Sequence, residues 1–271
     1  MEIEGKVAVI TGAASGIGRA VAAELARRKV RAMALVDRGE KIAGVASEIN
    51  AEAGRRLAYP YQGDATDEAF RASVFDSISC EFDTVTLCVP AAGITRDDLA
   101  VRIDKITGKA RIYPVDQFKQ VLDVNLVAPV YWALEMIGRI AENRAARGLK
   151  RWHPTERMQG AIVFIGSVSS QGNRGQISYA STKAGLEGAA ATIMKEAVYY
   201  GVRCGLIHPG FTDTPMVRAM GDDYISKHIL PFTQLSRLIR PEEIADAICF
   251  MLANSAVSGE LWADAGWHAP A

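Results

Sequence analysis

The stretch ISYASTKAGL, residues 177–186, carries a tyrosine and a lysine four positions apart, Tyr179 and Lys183. On a helix they share a face. A free phenol titrates near pH 10 and is a poor base at neutral pH, but an ammonium beside it favours the phenolate. Such a pair could pass a proton to or from an oxygen held against it. The same spacing also describes an amphipathic tyrosine next to a solvated lysine, so it decides nothing alone. A second chemical feature is TGAASGIG, with Gly12, Gly16 and Gly18 and with Ser15 and Ile17 between them. Backbone N–H groups at a helix N-terminus, with the helix dipole, can hold a pyrophosphate. Glycines serve there because a Cβ would block the turn, the phosphate approach or the helix–strand contact. Asp37 follows 19 residues after Gly18. A carboxylate at about that distance accepts hydrogen bonds from an adenosine ribose and repels a 2′-phosphate. Arg38 is next and could approach a phosphate, whereas Ser15 brings no positive charge. The reading is a dinucleotide site that takes NAD in preference to NADP.

These groups need a scaffold, and the chain alternates short β-branched runs with helical patterns. Residues 7–11, 33–36, 84–89, 161–165, 203–207 and 261–263 read as strands. Several are apolar on both faces, as in a parallel sheet covered on each side. GIGRAVAAELARRK has apolar residues at helical spacing and ends in basic residues, as the helix dipole favours. PEEIADAICFML opens on Pro241 in a first-turn position with two acids behind it. The expectation is a doubly wound α/β Rossmann fold, about seven strands with helices on both faces. It forms one domain over residues 1–271. Two stretches fall outside the minimal plan. Residues 100–114 alternate around Thr107-Gly108-Lys109 and read as a hairpin insertion. Residues 142–160 read as a helix end and an exposed loop.

Composition removes other classes. Apolar residues make up 49 %, which argues against disorder. Lys plus Arg and Asp plus Glu are 31 each, so no basic field invites nucleic acid. Four scattered cysteines form no C-x-x-C pair and read as buried free thiols in a reducing compartment. The acidic start MEIEGKVAVIT carries no signal-peptide pattern, and no apolar run approaches the length of a membrane span. A soluble cytoplasmic protein is expected, with no membrane partner and no metal site.

Taken in order, the motifs resemble those of the short-chain dehydrogenase/reductase family, in its compact single-domain form. They are Thr11-Gly12-x3-Gly16-Ile17-Gly18, Gly63-Asp64-Ala65, Asn125 in DVNL, Ser167 in IGSVSS, Tyr179-x3-Lys183 and HPGFTDTP. The resemblance spans almost the whole chain. It implies that Tyr179 exchanges a proton with the substrate oxygen, helped by Lys183 and by the positive charge of an oxidised nicotinamide. It implies that Lys183 also binds the nicotinamide ribose, that Ser167 donates to the substrate oxygen, and that Asn125 holds a water linking the lysine to solvent. Asp64 and Ala65 would lie beside the adenine. Pro209, Gly210, Thr212 and Thr214 would hold the nicotinamide carboxamide. Thr212 and Thr214 also suit helix capping before Pro215. The family's Asn-Asn-Ala-Gly is Pro90-Ala91-Ala92-Gly93 here, which keeps the close approach at Ala92 and Gly93 but loses the first asparagine's bonds. Pro90 has no N–H and should end its strand. Ala265, in ADAG, stands where a glycine is commoner.

Residues 211–240 should form a substrate lid, with Met216, Met220, Leu230 and Phe232 either facing an acyl or alicyclic group or packing lid on core. GITRDDLA and GNRGQISY look like the corresponding stretches of 3-oxoacyl-[acyl-carrier-protein] reductases. Arg139, Arg144, Arg147, Lys150 and Arg151 could meet an acidic carrier or coenzyme A phosphates, or could be a solvated helix end. Those reductases normally use NADPH, which Asp37 opposes. The expected activity is therefore NAD-dependent interconversion of a secondary alcohol and a ketone, with a 3-hydroxyacyl or 3-oxoacyl thioester as candidate substrate. An NADPH-dependent 3-oxoacyl-[acyl-carrier-protein] reductase is the alternative, and a non-catalytic NAD-sensing regulator is the alternative from another class. The resemblance further implies a homotetramer or homodimer, with the helices near 116–140 and 179–199 between subunits.

Overall fold

The computed structural model describes residues 1–267. In chain order the elements begin with β1 (Val7–Thr11), α1 (Gly16–Arg27), β2 (Ala32–Asp37), α2 (Lys41–Ala53), β3 (Ala58–Gln62), α3 (Glu68–Phe82) and β4 (Leu87–Pro90). A hairpin of β5 (Val101–Ile103) and β6 (Ala110–Ile112) comes next, then α4 (Val115–Leu122), a π-helical turn (Asp123–Val127) and α5 (Ala128–Ala146). The remainder is β7 (Gly160–Ile165), α6 (Ile177–Ala197), β8 (Val202–Pro209), α7 (Pro215–Arg218), α8 (Asp222–His228), α9 (Pro241–Ala253) and β9 (Gly259–Ala263).

Seven strands form one parallel sheet in the order β3-β2-β1-β4-β7-β8-β9. Successive side chains on a strand point to opposite faces, and β1 shows the result. Ala8 and Ile10 join a core with Val21, Leu25, Ile42 and Ile248, from α1, α2 and α9. Val7 and Val9 join another with Phe75, Trp132, Met136 and Ile193, from α3, α5 and α6. Two covered faces explain why β1 and β7 are buried at every position, while the edge strand β9 is not.

Strand order reverses between β1 and β4, so the connections leaving these neighbours diverge and open a crevice at their carboxyl ends. Pro90 is the last residue of β4, where its missing N–H costs no ladder bond. The strand begins later than the expected 84–89, at Leu87, because Thr84 to Thr86 follow the left-handed turn at Asp83 (φ 95°). Thr86 N–H still donates to the Val7 carbonyl.

Three sequence expectations need correction. Cys80 is exposed, although Cys88, Cys204 and Cys249 are buried; it lies in the last turn of α3, off the buried face. The continuous helical segment 115–146 contains an 18-residue stretch of mean hydropathy 1.3, long and apolar enough to cross a membrane by length and composition. Its Trp132, Ala133, Met136 and Ile140 are buried against the sheet, as in a core helix. The basic cluster 139–151 is not uniformly solvated. Arg144 is buried and ion-paired to Glu156, and Arg139 binds Glu135 and Asp76.

The β5–β6 hairpin projects an apolar edge (Val101, Ile103 and Ile112 are exposed), while Arg102 and Arg111 bind Asp98 at its base. Tyr113, at its exit, contacts the Ser178 hydroxyl at 2.9 Å. The hairpin is thus rooted beside Tyr179.

Candidate active site

The glycine turn is shaped by contacts rather than by flexibility alone. A Cβ on Gly18 would lie 2.3 Å from the Gly12 carbonyl oxygen, and one on Gly12 would lie 2.7 Å from Ala92 N. Gly18 therefore lets α1 sit on the end of β1, and Gly12 lets β1 meet the exit of β4. Ser15 is the N-cap of α1 but makes no capping bond with its side chain, and no acid occupies the first turn. The N-terminus of α1 is left open to an anion.

A cavity of about 430 Å³ runs along this turn. Gly12, Ser15, Gly16, Ile17 and Gly18 form one wall. Asp37, Asp64 and Ala65 lie toward one end, with Arg38 among them, and Ala92, Gly93, Tyr179, Lys183 and Thr214 also line it. Asp37 is held by its neighbours: Ala14 N–H donates to Oδ2 at 3.1 Å and Gly39 N–H to Oδ1 at 2.9 Å. Asp64 accepts from the Thr66 N–H and hydroxyl, which hold its carboxyl below the usual range.

A second cavity, about 280 Å³, meets the first. Ser167, Pro209, Gly210 and Thr212 line it, and Tyr179 and Thr214 border both. Met216 and Met220 face it. Leu230 packs instead within the segment's own cluster around Ile225, Ile229 and Leu238, and Phe232 lies against the Trp267 ring. The lining of this cavity is mixed in character. Asp97 accepts from Gln176 Nε2 at 2.8 Å, and Phe211, Met216, Val217 and Met220 contribute apolar surface.

Ser167 caps a short 3-10 turn: its Oγ accepts from Ser169 N–H at 3.1 Å. That bond uses a lone pair and leaves the hydroxyl proton free to donate. Lys183 Nζ donates to the Ile165 carbonyl at 2.7 Å and lies 5.4 Å from the Tyr179 ring centroid. Burial lowers Lys183 to about 8. Burial also pushes Tyr179 up to about 12; the Ser167 hydroxyl works the other way, and Asp97 adds to the rise. Burial of the ring thus opposes ionisation, and the lysine together with the charge of an oxidised nicotinamide would have to overcome it.

Asn125 lines neither cavity. It is fully buried in the π-helical turn, where its Oδ1 accepts from Ile94 N–H and its Nδ2 donates to Ile94 O, both at 2.8 Å. Its side chain fixes the chain leaving β4, next to Gly93. Thr11 does related work: its hydroxyl accepts from Ala92 N–H at 3.1 Å, so the strand exit stays fixed without the family's first asparagine. Thr214 caps α7 and packs at the glycine turn, where a Cβ on Gly16 would lie 3.1 Å from its Cγ2. Thr212 donates to the Gly210 carbonyl at 3.0 Å. Sequence reasoning assigned no role to Thr11, Ile94, Asp97 or Gln176. The last two sit in GITRDDLA and GNRGQISY, the stretches that carried the reductase likeness, but no spacing rule marks a pair 79 residues apart.

Comparison with known proteins agrees with this arrangement. The family model described as short chain dehydrogenase matches residues 6–225. The chain is 32 % identical over 271 residues to the 3-oxoacyl-[acyl-carrier-protein] reductase FabG of Escherichia coli (strain K12), covering 96 % of each chain. It is 30 % identical over 265 residues to FabG of Aquifex aeolicus (strain VF5), again over 96 % of each. It is 32 % identical over 270 residues to the acetoacetyl-CoA reductase of Synechocystis sp. (strain ATCC 27184 / PCC 6803 / Kazusa), over 98 % of this chain and 97 % of the relative.

Proposed function

The chain belongs to the short-chain dehydrogenase/reductase family and is an NAD(P)-dependent oxidoreductase of CH–OH and keto groups; we propose that it interconverts a 3-hydroxyacyl and a 3-oxoacyl thioester with NAD(H). One observation carries the reading: the cavity on the glycine turn and the cavity beside Ser167 meet at Tyr179. The open α1 N-terminus and the close-packed Gly12 and Gly18 fit a bound dinucleotide. When bound, its nicotinamide supplies hydride acceptance or donation.

The chain's own residues manage the oxygen. Ser167 Oγ donates to the substrate oxygen, its lone pair already held by Ser169 N–H. In reduction the Tyr179 phenol gives its Oη proton to the carbonyl oxygen; in oxidation the phenolate, favoured by the Lys183 ammonium and by the positive charge an oxidised nicotinamide would bring, takes the alcohol proton. Lys183 places its ammonium against the ring, anchored on the Ile165 carbonyl. Asn125 keeps the 93–94 segment in place; a water relay to Lys183 would draw on the backbone of its π-helical turn, a local break in helical bonding that recurs at functional sites. The apolar wall at Met216 and Met220 suits an acyl chain, and Asp97 with Gln176 suits the polar groups of a thioester arm.

The NAD preference rests on Asp37, whose carboxylate is fixed at the cavity edge by two backbone N–H groups. A second reading, NADPH, is favoured by Arg38 on the same cavity and by the likeness to the 3-oxoacyl reductases. Exposed Val127, Tyr131 and Leu134 on and beside α5 suit burial between subunits of a homotetramer or homodimer. Free cysteines suit a reducing cytoplasm. Titration with NADH and NADPH, followed by assays on 3-oxoacyl thioesters and simple ketones, tests the proposal. Tighter NADH and fastest turnover on thioesters support it; no turnover despite tight NAD binding would leave a nucleotide sensor.

A further inference from the structure

Glu187 on α6, His208 on β8 and Glu260 on β9 converge on one point, and none of them lines either cavity. We propose that these three side chains form a binding site for a divalent transition-metal ion. The argument starts from the His208 ring, which is fully buried. Its Nδ1 lies 3.1 Å from the Ser167 carbonyl oxygen. A carbonyl only accepts, so Nδ1 carries a proton. In the neutral ring Nε2 then presents a lone pair. It faces Glu260 Oε2 at 3.1 Å and Glu187 Oε1 at 3.9 Å, which are acceptors as well. Among the described residues, no lysine or arginine pairs with either carboxylate. Three acceptors aimed at one another call for a positive centre between them.

The dimensions suit an ion. All ligand atoms lie within 4.8 Å of one another. Zinc-type bonds to imidazole and carboxylate run about 2.0–2.2 Å, which puts adjacent ligand atoms roughly 3–3.5 Å apart. The His208–Glu260 separation already matches, and a small turn of the half-exposed Glu187 closes the rest. A metal-bound imidazole characteristically donates its other N–H to a carbonyl or carboxylate, and the Ser167 carbonyl fills that role. Trp262 stacks on the ring with centroids 4.1 Å apart and an interplanar angle of 12°. A Cβ on Gly166 would lie 2.8 Å from Nδ1, so the glycine admits the ring. Glu260 is exposed, which gives an ion a way in. One imidazole and two carboxylates suit Zn²⁺, Mn²⁺ or Co²⁺ better than a thiophilic ion. Lys183 precedes Glu187 by four residues on α6, so a bound ion would tie α6 to β8 and β9 behind the serine.

Calorimetric titration of the whole protein with Zn²⁺ and titration with Co²⁺ read by tryptophan fluorescence test the site. The expected result is one Zn²⁺ per chain and Co²⁺ quenching that largely disappears in Trp262→Phe. Glu260→Gln, an exposed and nearly isosteric change, should weaken Zn²⁺ binding at least about tenfold (~1.4 kcal/mol). Its circular dichroism and NADH binding should be unchanged. Equal binding by Glu260→Gln would place the ion elsewhere, at surface histidines, and overturn the proposal. Failure of the wild type to bind at about 1 mM, a ~4 kcal/mol threshold, would overturn it too.

Discussion

Lys183 holds its ammonium 5.4 Å from the centre of the Tyr179 ring while donating to the Ile165 carbonyl at 2.7 Å. A charge fixed this way is costly, because burial lowers Lys183 to about 8 from an unfolded value of 10.5. Below pH 8 both states are protonated and the whole cost is present; it fades as pH rises from about 8 to 10.5. The cost is roughly 3 kcal/mol at neutral pH, offset by about 1 kcal/mol from the Ile165 bond. Lys183→Met should therefore stabilise the cofactor-free protein by roughly 2 kcal/mol, raising Tm by about 5 °C, while turnover is lost. Thermal unfolding at pH 7 checks this, and the gain should shrink toward pH 10.

Asp97 raises the Tyr179 pKa through its negative charge. Asp97→Asn removes that charge and still offers an oxygen to Gln176. The rise of alcohol-oxidation rate with pH should then move to lower pH. A pH–rate profile for kcat/KM reads the shift; a profile moved upward would show that Asp97 does not act through its charge.

Asp37 should decide between the two cofactors. Asp37→Asn keeps one acceptor oxygen, enough for either the Ala14 or the Gly39 N–H, and loses the charge that repels a 2′-phosphate. Its Kd for NADPH should fall, and its Kd for NADH should rise by roughly tenfold, about 1.4 kcal/mol. Fluorescence titration of both reduced cofactors measures the pair.

Ala265 adopts φ 56°, a left-handed conformation that disfavours a Cβ. The family's commoner glycine would relieve roughly 1–2 kcal/mol of strain and give back roughly 0.5–1 kcal/mol of backbone entropy. Ala265→Gly should raise stability by about 0.5–1 kcal/mol. Denaturant unfolding at constant m-value would register it.

The parallel sheet was legible because its strands are covered on both faces, so β1, β2 and β7 read as apolar runs. The glycine turn was legible because each glycine answers a backbone contact, as Gly18 does at the Gly12 carbonyl. Strand β4 was harder: the run begins at Thr84, but the turn at Asp83 delays the strand to Leu87. The Asp97–Gln176 pair and the Glu187–His208–Glu260 group left no local signal, since only the crossovers of a parallel sheet bring their members together. The burial that opposes ionisation of Tyr179 was not legible, because spacing reports the lysine's position and not the depth of the ring.

The most direct test of the proposed chemistry is Tyr179→Phe, which removes the Oη that exchanges a proton and leaves the ring in place. NADH affinity should stay within about threefold of wild type, while kcat on a 3-oxoacyl thioester should fall by about 10²–10⁴, the usual worth of a general acid. Near-normal turnover by this variant would contradict the account.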